Sequence, residues 1–173
     1  MEFVEVVRRR RSVRKFEPKP VPDDAIERIL EAARLAPSWA NMQGVRYVVV
    51  REPDRVAALA DAIGQKWTKG APTFVVACCA PKDSGKNKNG LEYFPVDVAI
   101  GMEHVMLAAT NEGLGSCWIG WFDEEGVRKA LDVPEKVRVV AITPLGYPAK
   151  EPGSQKRLPL EKIAFREKFG EPW

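Results

Sequence analysis

The chain has 173 residues, 45% hydrophobic and 29% charged, which suits one globular domain (residues 1–173) with a substantial core. Its net charge of +3 is small for a dedicated nucleic-acid binder, and no run nears the ~20 apolar residues of a membrane span. With a charged N-terminus and no apolar h-region behind it, the expectation is a soluble, cytoplasmic protein with neither a membrane nor a nucleic-acid partner.

Phe3, Val4, Val6 and Val7 suggest a first short helix, and Arg8 to Phe16 then sets six cations and one hydroxyl in nine positions. Guanidinium groups carry paired donors that match phosphate oxygens, and Ser12 adds a short donor, so the stretch reads as an anion seat. A solvated basic helix end and a phosphate-contacting arm are the competing readings.

Pro18 to Pro22 predicts an extended linker. Asp23 or Asp24 then caps a helix with Ile26, Ile29, Leu30 and Ala33 on one face, stopping at Ala36 before Pro37. Pro37 to Gly44 has no periodicity and carries Ser, Asn and Gln, as either a binding loop or a plain helix-to-strand turn does. Tyr47–Val50 and Thr73–Ala80 are predicted strands, with an amphipathic helix from Asp54 to about Trp67 between them. Because the strand runs are continuously apolar, helices are expected on both faces of the sheet.

Pro81 to Gly90 is expected to be a mobile surface loop. Asp97 is expected to cap a helix to about Asn111, ended by Gly113, whose small residues Gly101, Ala108 and Ala109 invite close approach of another helix. His104 within it reads as a packing histidine, and Cys78, Cys79 and Cys117 as small core residues without metal or disulfide spacing. Gly113 to Phe122 is a glycine-framed short strand with accessible backbone. Trp118 stands where G-x-G-x-x-G needs its third glycine, so this is no dinucleotide fingerprint, and any phosphate must be gripped by side chains. A short helix from Asp123 and a strand from Val137 toward Pro148 follow. The polar tail from about residue 149 ends in Phe165, Phe169 and Trp173, costly to leave in water, and is expected to dock on a partner subunit.

Taken in register, six pieces resemble the flavin-dependent nitroreductase family: Arg10 to Phe16, Ala36 to Gln43, Asp97, Gly113 to Gly120, Leu145 to Pro148, and Lys156 to Leu160. The resemblance implies an α+β three-layer fold, a mixed or antiparallel sheet with helices on both faces, in an intertwined homodimer. It also implies FMN at the dimer interface, NAD(P)H as reductant, and a small electron-poor acceptor such as a nitroaromatic or quinone. On that pattern Arg10, Arg11, Ser12 and Arg14, closed by Arg157 and Lys156, hold the phosphate and ribityl end. Pro37, Ser38, Trp39, Asn41 and Gln43 of the other subunit line the flavin, and Cys117, Trp118, Ile119 and Gly120 pass the ring, with the Ile119 and Gly120 amides near N5 and O4. No side-chain acid or nucleophile is needed, because the chemistry belongs to the cofactor. Tyr93, Phe94 and Trp121 are candidate walls of the acceptor pocket, each with core or interface packing as the alternative. Trp39, Gly44 and Trp121 depart from the usual pattern, and the short Pro81–Val96 segment points to a reduced excursion over the substrate site.

Overall fold

The computed structural model describes residues 1–153 and 155–173, so Ser154, inside the tail expected to dock on a partner, lies outside the described residues. Strands β1 (Val45–Val50), β2 (Thr73–Cys79), β3 (Gly115–Ser116) and β4 (Arg138–Gly146) form an antiparallel sheet in the order β1-β2-β4-β3. Among the described residues the α-helices are α1 (Phe3–Arg9), α2 (Asp23–Arg34), α3 (Pro53–Ile63), α4 (Phe94–Asn111) and α5 (Glu124–Leu131).

The apolar strands sort their side chains by the two-residue strand period. Val75, Ala77 and Cys79 of β2 face a core built with α2 and α4, where Ile29, Val98, Met102 and Val105 are fully enclosed. Phe74, Val76 and Cys78 face a second core, with Leu59 and Ile63 of α3 and Val127 of α5. The expected three-layer α+β arrangement is therefore present, both faces covered. Among the described residues no helix is long and apolar enough to cross a membrane.

Several boundaries differ from expectation for local reasons. Helix α3 stops at Ile63, where Gly64 takes a left-handed φ of 71°, and a 3₁₀ turn (Lys66–Gly70) carries Trp67 instead. Neither Asp23 nor Asp24 caps α2 through its side chain; they pair with Arg51 and Arg28. Asp123 does cap α5, accepting from the Glu125 N–H at 3.1 Å. Helix α4 begins three residues early, with Pro95 in its first turn, so Asp97 is inside the helix. Gly101 admits no second helix: the Tyr47 phenol of the same chain fills the space beside it. The Pro81–Gly90 stretch is not a loose loop. Lys86 bridges Glu92, and the Asn87 side-chain oxygen accepts from the Asn89 and Leu91 N–H groups, folding the segment into a tight hairpin.

His104 packs as expected, its Nδ1 lying 2.9 Å from the Ala32 carbonyl. All three cysteines are free and buried, and burial pushes the Cys78 and Cys79 thiols up to about 11, which makes them inert near neutral pH.

Candidate functional site

Beyond α1 the chain runs extended along the β3 edge. Ser12 bridges Ser116, the Val13 N–H donates to the Ser116 carbonyl at 2.9 Å, and the Glu17 N–H donates to Tyr147 at 2.9 Å. Gly115 makes this approach possible, since an added Cβ there would lie 2.7 Å from Val13. This strand divides the arginine cluster. Arg11 folds back on the C-terminus of α1, donating to the Arg8 and Arg10 carbonyls, and lines a cavity of about 460 Å³ with Arg8, Arg9 and Val13. Arg14 instead lies over the Trp67 ring, 5.8 Å from its centroid. Of the expected group, Arg11 therefore contacts the end of α1 and Arg14 contacts Trp67. Trp67, which sequence reading had assigned to a helix end, joins the neighbourhood of Arg14. Neither Arg10 nor Arg14 forms an ion pair among the described residues.

Cys117 to Gly120 continue along the same edge with alternating orientation. The Cys117 N–H donates to Thr143 Oγ1 at 3.1 Å and the Ile119 N–H to the Ile142 carbonyl at 2.9 Å, and both residues are buried. Trp118 and Gly120 are exposed, and their N–H groups have no acceptor among the described residues. Ile119 therefore spends its amide on the sheet, and the open donors of this segment belong to Trp118 and Gly120. Ser116 is 1% exposed, and its hydroxyl has no partner among the described residues. Two arginines without ion pairs and two bare amides on one sheet edge fit a polar ligand with an anionic end.

The second group of expected residues lies elsewhere. Ser38 to Gln43 forms a loop entering β1, with Ala40, Asn41 and Gln43 all at left-handed φ values of 43°, 57° and 54°. Ser38 Oγ accepts from the Gln43 N–H at 2.9 Å, and Arg46 donates to the Gln43 carbonyl at 2.7 Å. Pro37, Ser38 and Gln43 line a cavity of about 240 Å³ with Tyr47, whose phenol burial pushes up to about 12. Asn41 is exposed at the loop tip. Trp39 turns toward the 85–93 hairpin, its ring centroid 4.4 Å from that of Tyr93 and its indole over Gly85.

Of the candidate pocket walls, Phe94 packs in the core, Tyr93 stacks on Trp39, and Trp121 is 83% exposed. Lys156 and Arg157 are exposed; after Ala149, whose N–H donates to Lys15, the tail's backbone hydrogen bonds are internal to it among the described residues. No cluster of metal-binding side chains occurs among the described residues.

The model of the nitroreductase family matches residues 7–89 and 63–147, a span holding both groups. A Methanothermobacter thermautotrophicus protein, provisionally named an NADH dehydrogenase/NAD(P)H nitroreductase, is 32% identical over 94% of this chain and 86% of its own. The chain belongs to the nitroreductase family. It is accordingly an oxidoreductase. The crystal structure of a nitroreductase family protein from Clostridium novyi superposes with a TM-score of 0.83 at 36% identity, covering 100% of this chain and 97% of that one. An FMN-dependent nitroreductase from Clostridium difficile superposes with a TM-score of 0.83 at 26% identity, covering 95% and 99%. The family match stops short of the tail, so Lys156 and Arg157 are the site candidates it does not reach.

Proposed function

We propose that this nitroreductase-family chain is an FMN-dependent NAD(P)H oxidoreductase that works as a homodimer, each flavin held between two protomers. The observation that carries this reading is the placement of the two polar groups at diagonally opposite corners of one sheet. Loop 38–43 enters β1 where Val45 pairs with Cys79, whereas Ser12 sits on β3, which pairs with the far end of β4 across three strand spacings. By strand geometry that separates them by roughly 25 Å, too far to share one ligand within a chain. A two-fold partner brings one chain's cations to the other chain's loop.

In that arrangement Arg10, Ser12 and Arg14 bind the phosphate and ribityl end, joined by Arg157 and Lys156 of the tail. The Trp118 and Gly120 amides point at the polar edge of the ring, and Pro37, Ser38, Asn41 and Gln43 of the partner chain's loop close over it. When bound, FMN supplies hydride chemistry at N5, passing two electrons from NAD(P)H to a small acceptor such as a nitroaromatic or quinone in a ping-pong cycle. Trp121 offers that acceptor an exposed aromatic face beside Gly120. The tail docks on the partner: Phe169, 95% exposed, and the largely exposed Leu158, Ile163 and Trp173 leave an apolar surface that a monomer has no means to cover.

Acid precipitation of the purified protein tests this directly. The expected result is a yellow protein releasing about one FMN per chain, as two equivalent sites in a symmetric dimer require. A colourless protein that takes up no added FMN contradicts the reading.

A further inference from the structure

Asp97 is the buried carboxylate that the chemistry above does not use. It is 2% exposed and forms no ion pair among the described residues. A charge in that position is costly unless hydrogen bonds replace water. Two donors do so: the Trp39 N–H reaches Oδ1 at 2.9 Å and the Ser84 hydroxyl reaches Oδ2 at 2.6 Å. Asp97 also lies in the first turn of the 18-residue helix α4, where the dipole favours a negative charge.

The two donors belong to different segments. Trp39 opens the loop with three left-handed residues, and Ser84 opens the 85–93 hairpin. Further contacts join the same pair of segments. Gly44 sits against the Asp83 backbone, Gly85 lies under the Trp39 indole, and Tyr93 stacks on Trp39. Non-glycine residues at positive φ are strained, so a loop with three of them relaxes unless its ends are held. Ser38 ties the two ends to each other through the Gln43 amide, Arg46 holds the far end through the Gln43 carbonyl, and Asp97 holds the near end through the Trp39 amide, beside the packing of the Trp39 ring on Gly85 and Tyr93.

We propose that Asp97 is a positioning residue, which anchors the Ser38–Gln43 loop in the strained form that meets the cofactor ring. The assignment rests on the reading that this loop lines the flavin. It makes a charged acceptor in the core responsible for where Asn41 and Gln43 stand, although Asp97 touches no ligand itself. Sharing of one carboxylate by both segments also ties the hairpin to the loop, so the wall beyond the ring moves with it.

The test uses the full-length protein and reads two quantities: amide exchange in the cofactor-free form, and affinity for FMN and for riboflavin. Asp97→Ala should speed exchange at Trp39 and Gln43 while β2 and α4 stay protected. It should weaken FMN and riboflavin by the same factor, about tenfold or more, since the loss of a charge-assisted hydrogen bond falls at the ring end. Asp97→Asn keeps an acceptor for Trp39 and should recover most of the affinity. Unchanged loop exchange and unchanged affinities in Asp97→Ala would overturn the proposal. If that variant does not fold, the wild-type protein decides the matter: a Trp39 amide protected from exchange supports the anchor, and one that exchanges as fast as a free amide overturns it. Wild-type protein that binds neither ligand would overturn the flavin reading instead, while the exchange data would still judge the anchor.

Discussion

At the β1 corner nearly every polar group already has a partner: Ser38 holds the Gln43 amide, Arg46 the Gln43 carbonyl, and Asp97 the Trp39 amide. At the β3 corner the reverse holds, with Arg10 and Arg14 unpaired, the Ser116 hydroxyl unmet, and the Trp118 and Gly120 amides without acceptors among the described residues. The first corner is rigid and strained, a surface shaped in advance. The second is a set of donors waiting for an acceptor. A flexible anionic tail needs many donors, and a flat ring needs a wall that does not yield, so the two corners match the two ends of one molecule. On the proposed reading, their separation within a chain is a reason for dimerisation, because neither corner is then a complete site alone.

The sharpest way to break this division of labour is to strip the donor corner. Arg14→Ala combined with Arg157→Ala should weaken FMN by roughly 150-fold or more and riboflavin only a few-fold, since each lost guanidinium–phosphate contact is worth roughly 1.5–3 kcal/mol. Equal weakening of the two ligands would show that these arginines do not meet the phosphate. A smaller effect concerns stability and an ion pair that neither polar group uses. The Arg138 guanidinium, with the Val139 N–H adding to it, holds the Glu124 carboxyl below its ordinary value of 4.5. A lowered value means stability that is present above pH 4.5 and lost as the pH falls through the folded value. Glu124→Gln should therefore cost about 1 kcal/mol at pH 7, at the modest end because Arg138 is half exposed, with the gap to wild type closing in acid.

Much of the scaffold was legible in the sequence. Unbroken apolar runs at Val75 to Cys79 announced a sheet covered on both faces, and the spacing of Ile26, Ile29 and Ala33 announced the buried side of α2. The candidate residues of both corners were also legible as motifs. Their sorting was not. Arg11 and Arg14 are chemically alike, and only the strand between them sends one to a helix end and the other to Trp67. Likewise Ile119 and Gly120 are both backbone donors, and only pairing with Ile142 shows which amide is already engaged. Asp97 read as a helix cap because its partner Trp39 is 58 positions away, a distance at which local patterning is silent.

The most direct test of a site shared between chains is complementation by mixing. One chain carries Arg10→Ala and Arg14→Ala; the other carries Asn41→Gly and Gln43→Gly, which remove side chains at positions whose positive φ glycine tolerates. Each homodimer alone should bind little FMN. After subunit exchange, half the dimers are mixed and each holds one intact site, so FMN should return to about a quarter of all sites. No recovery in dimers shown to have exchanged would place both corners on the same ligand within one chain and contradict the account.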